Sequence, residues 1–247
     1  MNKHLVEIKK LKKSFDDFTV LNDVSLNVDV GENFIVFGQS GTGKSVLLKC
    51  IVGLLKPDEG EVFVGGKNVL KFSYKEMMEY RKTLGFLFQG AALYDSMSVR
   101  ENLEFPLKRN FNFTKEERKE KIIQSLKMVG LERAIDKMPA ELSGGMKKRI
   151  GLARSIITEP KLMFYDEPTT GLDPITSKEI SALILELQNK LNMTSIVVTH
   201  DLLCAEIIAD RAIVLHKGNI IAEGTIAELT TSDDKFLNNF FGNKIVK

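Results

Sequence analysis

Residues 38–45 read Gly38-Gln39-Ser40-Gly41-Thr42-Gly43-Lys44-Ser45, the pattern Gly-x-x-x-x-Gly-Lys-Ser. Of all the chain's features, this one narrows the choice of fold the most. Such a loop cradles phosphate only where a buried strand delivers it and a helix leaves it. Both flanks meet that demand. Phe34-Ile35-Val36-Phe37 is an unbroken apolar run, as expected for a strand covered on both faces. After the loop, Val46, Leu47, Leu48, Ile51 and Val52 recur at helical spacing, and Lys56-Pro57-Asp58-Glu59-Gly60 ends the helix. The glycines permit a tight turn with amides converging on one point, and the helix adds its positive end. Lys44 is then placed for the β and γ phosphates, and the Ser45 hydroxyl for Mg²⁺.

The rest of the chain repeats the strand–helix alternation. Leu5–Ile8 and the alternating Val24–Val30 run read as strands with one wet face. Leu162-Met163-Phe164-Tyr165 and Ile196-Val197-Val198 read as further buried strands, and Lys217-Gly218-Asn219 as a hairpin turn. Between about 90 and 160 the pattern turns helical. Capping boxes pair Ser73 with Glu76, Ser98 with Glu101, and Thr114 with Glu117, and a second helix starts near Gly145. Phe236, Leu237, Phe240 and Phe241 make an amphipathic tail. The whole is an α/β design, a mostly parallel sheet with an inserted helical segment.

Composition excludes several classes. The 247 residues carry 35 basic and 33 acidic side chains, a net charge of +2, which gives no reason to expect nucleic acid. Apolar runs reach about five residues, far short of the roughly 20 of a membrane helix, and Met1 to Leu5 has no signal-peptide core. Two distant cysteines, Cys50 and Cys204, suit a reducing compartment and buried positions.

Other motifs extend the phosphate chemistry. Asp166-Glu167 follows a buried strand, so Asp166 is placed to hold Mg²⁺ and Glu167 to polarise water. His200 ends another strand, where α/β sheets gather ligands. His216 precedes a hairpin and is read as structural, and His4 is uninformative. Leu142-Ser143-Gly144-Gly145-Met146 opens a helix as an anion site does. A second anion-binding helix end, about 100 residues from the first, suggests a site completed across a dimer. The basic Lys147-Lys148-Arg149 is read as a solvated helix face.

Together these motifs, in this order, resemble the ATP-binding cassette (ABC) ATPases. Gly38–Ser45 matches the family's Walker A loop, with Val46 following, and Leu162–Asp166 its Walker B strand. Ser143-Gly144-Gly145 matches the signature, Gln89 the Q-loop, Thr170-Gly171-Leu172-Asp173 the D-loop and His200 the switch histidine. The resemblance implies ATP and Mg²⁺ as cofactors. The catalytic group would be Glu167, His200 and Gln89, the metal ligands Ser45, Gln89 and Asp166. Phe15 would stack on adenine, with Phe18 as the alternative. A head-to-tail homodimer would place the Walker A of one copy against the signature of the other, and Asp173 would couple the two sites. The implied organisation is a single P-loop cassette of 1–247: a RecA-like core of 1–88 and 160–225 with an N-terminal antiparallel β subdomain, a helical signature subdomain of 89–159, and a helical tail of 226–247.

Met146 stands where many members have Gln. Leu142–Met146, the stretch Phe88–Met97 with Asn102 and Phe105-Pro106-Leu107, and Asp166–Thr176 resemble the Mla-type ATPases that work with MCE-domain proteins in phospholipid transport. That likeness implies a peripheral protein on the cytoplasmic face of an inner membrane. A separate permease would be gripped near Gly90–Met97, and the partners would handle the lipid. The alternatives are an ABC importer or exporter ATPase for another cargo, a non-transport ABC ATPase of DNA repair or translation, and a phosphate-loop kinase. The last leaves Ser143-Gly144-Gly145 unexplained.

Overall fold

The computed structural model describes residues 3–242. In chain order its elements begin with strands β1 (His4–Phe15), β2 (Phe18–Asp29) and β3 (Asn33–Phe37) and helix α1 (Lys44–Ile51). Strands β4 (Glu59–Val64) and β5 (Lys67–Asn68), helix α2 (Tyr74–Lys82) and strand β6 (Leu84–Leu87) come next. Helices α3 (Val99–Asn110), α4 (Lys115–Met128) and α5 (Gly144–Ile156) follow, then β7 (Leu162–Asp166), α6 (Pro174–Leu191) and β8 (Thr194–Thr199). The last are α7 (Leu202–Ile208), β9 (Arg211–His216), β10 (Asn219–Gly224), α8 (Ile226–Thr230) and α9 (Lys235–Gly242). They gather into two compact units. One holds the residues up to Met77 and those from Ile196 onward, the other Met78–Ser195.

In the first unit β1 pairs antiparallel with β2 and with β4, and β5 extends the sheet. The alternation read in β2 is present: Val24, Leu26 and Val28 are buried and Ser25 is exposed. Strand β1 runs well past the expected Leu5–Ile8. An irregularity between Ile8 and Leu11 breaks its register, so burial passes from Val6 and Ile8 to Leu11 and the period of two is lost. A second sheet carries β10, β9, β3 and β8 in that order. Strand β3 is buried along its whole length and runs parallel to β9, Phe34 opposite Arg211 and Phe37 opposite Val214. Burial of each large apolar side chain there contributes roughly 1.5–3 kcal/mol. The expected hairpin joins β9 to an antiparallel β10. The amphipathic tail is α9, whose Phe241 meets the Phe37 ring edge-on at 5.2 Å. Residues 243–247 of the expected tail lie outside the described residues.

In the second unit β6 and β7 run parallel, Leu84 opposite Leu162 and Leu87 opposite Tyr165. The helices expected from Thr114 and near Gly145 are α4 and α5, and the boxes of Ser98 with Glu101 and Thr114 with Glu117 are both closed. Helix α5 lies against β6 and α6. Among the described residues no helix is long and apolar enough to cross a membrane.

Candidate functional site

The first unit holds the phosphate loop. Strand β3 ends at Phe37, and the chain turns through Gly38–Gly43 into α1. Gly43 takes φ +98°, and a Cβ there would lie 2.8 Å from the Val20 carbonyl of β2, so only glycine fits between loop and strand. The Thr42 hydroxyl donates to the Gln39 carbonyl at 2.8 Å. Lys44 Nζ donates to the carbonyls of Gly38 at 2.7 Å and Gln39 at 3.0 Å, so the buried side chain is curled beneath its own loop. Helix α1 begins with no side-chain cap hydrogen bond and no acid in its first turn. That arrangement suits an anion at its amides.

His200 stands in the same unit, after β8. Together with Gly38, Gln39 and Ser40 it lines a cavity of about 340 Å³, closed on another side by Phe240 and Phe241. The structure thus brings the histidine to the loop. Phe15 and Phe18 face each other at the β1–β2 turn, both exposed, and Lys13 Nζ sits 5.4 Å from the Phe15 ring centre. Cys50 and Cys204 are buried as expected, and burial pushes the Cys50 thiol up to about 11. His216 is also a packing residue, its ring 4.4 Å from that of Phe236.

The second unit holds the acidic and signature motifs. Strand β7 ends on Asp166, and Glu167 follows in the left-handed region at φ +50°. A left-handed residue other than glycine costs about 1–3 kcal/mol, which its surroundings must sustain. The Thr170 hydroxyl donates to the Glu167 carboxylate at 3.2 Å. Gln89 lies just past β6, exposed. Ser143 caps α5 by accepting from Met146 N at 3.3 Å, and Ser143 and Gly144 are exposed. Gly145 lies so close to α6 that a Cβ would sit 2.8 Å from the Thr176 methyl. Signature and D-loop are therefore neighbours. Asp173 caps α6, accepting from the amides of Ile175 and Thr176 and from the Thr176 hydroxyl, and that hydroxyl above all holds its carboxyl below the usual range.

Lys148 departs from the sequence reading. The basic trio was expected on a solvated face, yet Lys148 is 5% exposed. Its Nζ donates to the Gln89 carbonyl at 2.5 Å and the Glu167 carbonyl at 3.2 Å. Burial pushes its ammonium down to about 8, against the opposing pull of the Glu167 and Asp166 charges. Arg149 is also committed, to Glu179 at 3.0 Å. The available signal was helical spacing: Lys148 lies four and eight residues before Leu152 and Ile156, on the buried stripe. Arg154, likewise missed, donates to the carbonyls of Ala91 at 2.9 Å and Ala92 at 2.7 Å.

The stretch Gly90–Met97 is held from inside by Asn102. Its amide donates to the carbonyls of Tyr94 and Met97, and its oxygen accepts from Tyr94 N at 2.8 Å. Beside it opens a groove of about 480 Å³, lined by Phe86, Phe88, Tyr94 and Phe105 and by the basic Arg81 and Lys82.

The donors fit the groups the sequence implies. The loop offers an uncapped helix end and a lysine to a polyphosphate. Ser45 in the first unit, and Gln89 and Asp166 in the second, each carry a hard oxygen donor of the kind that suits Mg²⁺.

The sequence profile of the family described as "ABC transporter" matches residues 21–170. The chain is 36% identical over 239 residues to a probable ribonucleotide transport ATP-binding protein of Mycobacterium leprae, covering 97% of this chain and 69% of that one. It is 40% identical over 234 residues to the intermembrane phospholipid transport system ATP-binding protein MlaF of Haemophilus influenzae, covering 95% and 89%. A methionine import ATP-binding protein of Bartonella henselae is 37% identical over 234 residues, covering 94% and 68%. Among solved structures, a dimeric post-hydrolysis state of the ATP-binding cassette MJ0796, bound to ADP and phosphate, superposes with a TM-score of 0.82 at 33% identity, covering 90% of this chain and 98% of that one.

Proposed function

The chain belongs to the ABC transporter family as an ATP-binding, ATP-hydrolysing subunit, and from that premise we propose that it powers phospholipid movement between two membranes. The observation that carries the lipid reading is the 40% identity to the phospholipid transport protein over nearly the whole chain. The Leu142–Met146 signature and the Phe88–Met97 stretch point the same way. On this reading the chain sits peripherally on the cytoplasmic face of an inner membrane, beside a separate permease and an MCE-domain protein. A permease helix docks in the groove of Phe88, Tyr94 and Phe105, and the partners handle the lipid. Residues 89–159 act as the signature subdomain.

The residue roles follow from the chemistry. The amides of Gly38–Ser45, with Val46 behind them, and the Lys44 ammonium bind the phosphates of ATP, and Phe15 stacks on the base. Ser45, Gln89 and Asp166 would hold Mg²⁺, which neutralises phosphate charge when bound. Glu167 accepts a proton from the attacking water, and His200 donates to the γ-phosphate. Ser143, Gly144 and Gly145 of a second copy supply the donors that each loop lacks, in a head-to-tail homodimer coupled through Asp173. Hydrolysis then removes the bridging phosphate and the dimer opens.

A second reading, another cargo, is favoured by relatives of nearly equal identity named for ribonucleotide and methionine transport. Affinity purification from membranes, with co-purified chains and lipids identified by mass spectrometry, separates the two. A permease, an MCE-domain protein and phospholipid are expected. A permease with a soluble solute-binding protein and no lipid would overturn the lipid reading.

A further inference from the structure

Three contacts run along one helix of the second unit. From α5, Lys148 Nζ donates to the Gln89 carbonyl at 2.5 Å. One turn on, Gly151 lies against Ala91, so close that a Cβ there would meet the Ala91 Cβ at 3.0 Å. One turn further, Arg154 donates to the carbonyls of Ala91 and Ala92. Successive members are three residues apart and so are surface neighbours on the helix. The segment they grip is strained: Ala91 and Ala92 both lie in the left-handed region, at φ +59° and +50°. Lys148 also reaches a second strained point, the carbonyl of Glu167, which accepts as well from Thr170 N at 3.3 Å.

One buried ammonium therefore ties together the chain just after β6 and the chain just after β7. These are the two places from which the Gln89 and Glu167 side chains project. A carboxylate that must meet water in line with a phosphate tolerates little displacement, and a left-handed backbone holds only while its contacts do. We propose that Lys148 is a positioning residue for ATP hydrolysis: by bridging the Gln89 and Glu167 carbonyls, it holds the Glu167 carboxylate in its working orientation. Because Gln89 adjoins Phe88 of the groove, the same bridge links the groove to the carboxylate. The inference rests on the assignment of Glu167 made above.

The test is steady-state ATP hydrolysis by the full chain, comparing Lys148→Met, Lys148→Arg, Glu167→Gln and the Lys148→Met/Glu167→Gln double variant. Lys148→Met should lower kcat roughly 100-fold with KM for ATP changed by less than about threefold. Lys148→Arg, which can still donate to both carbonyls, should recover most of the rate. In the Glu167→Gln background, Lys148→Met should cost nothing further, since both act through one carboxylate. Wild-type kcat in Lys148→Met overturns the proposal. So does a loss that multiplies fully with that of Glu167→Gln, or one shared by KM and unrescued by arginine. If Lys148→Met melts below the assay temperature, Lys148→Gln decides by the same criteria. Wild-type turnover in Glu167→Gln alone would instead remove the assignment on which the proposal stands.

Discussion

At the scale of single residues, Lys44 shows how local bonding prepares a site. Its ammonium holds two carbonyls of its own loop, so Lys44→Ala removes the cation and loosens the cradle together. Hydrogen bonds to charged groups contribute about 1.5–3 kcal/mol, so nucleotide affinity should fall roughly 10- to 100-fold, read by titration with a fluorescent ATP analogue. Unchanged affinity would contradict the phosphate-loop assignment. Glu167→Gln keeps the size of the side chain and removes its basicity. It should bind ATP as tightly as wild type yet hydrolyse it at least about 100-fold more slowly, and equal turnover would remove Glu167 from its role. The placement of the glycine loop between β3 and α1, and of Asp166 at the end of β7, was legible in the sequence, because glycine spacing and acids after apolar runs leave few other arrangements. Lys148 was not. A run of three basic residues reads as a wet face, and only the tertiary approach of two carbonyls makes burial of one tolerable.

At the scale of elements, several helix starts are closed by reciprocal hydrogen bonds to a carboxylate. In α4, Glu117 accepts from Thr114 N at 2.6 Å while Thr114 accepts from Glu117 N at 3.2 Å. The Thr114 amide holds the Glu117 carboxyl below its usual range, as the Ser98 amide does for Glu101. A carboxyl whose pKa is depressed on folding stabilises above its unfolded value, about 4.3, and that contribution is lost as pH falls through the folded value. Thermal midpoints should therefore drop as the pH is lowered below about 4, and Glu117→Gln should be less stable than wild type at pH 7, with the gap closing as the pH falls through the lowered titration of Glu117. A constant gap at every pH would show that the box carries no charge-dependent stability. Most elements were legible for a simple reason: buried parallel strands such as β3 and β7 are unbroken apolar runs. The end of β1 was not, since its irregular register moves the buried side off the alternating pattern. Nor was the Thr225–Glu228 capping box at the start of α8, whose short helix leaves little periodicity to notice.

At the scale of the whole molecule, the two helix ends proposed to meet phosphate, those of α1 and α5, have different surroundings. The α1 end is backed by Lys44 and faces the His200 cavity. The α5 end presents an exposed Ser143 and Gly144 with no acid in the first turn. A two-fold dimer pairs unlike patches twice, so one interface completes two sites. This can be tested with two differently tagged copies, one carrying Ser40→Cys and the other Gly144→Cys. Ser40 is exposed, a Cβ at Gly144 would be 3.6 Å from Leu172, and the native Cys50 and Cys204 are buried. In a Glu167→Gln background, crosslinks between the two tags should form with ATP and vanish without it. If none form with ATP, or the yield is the same without nucleotide, two copies do not close on ATP in this way.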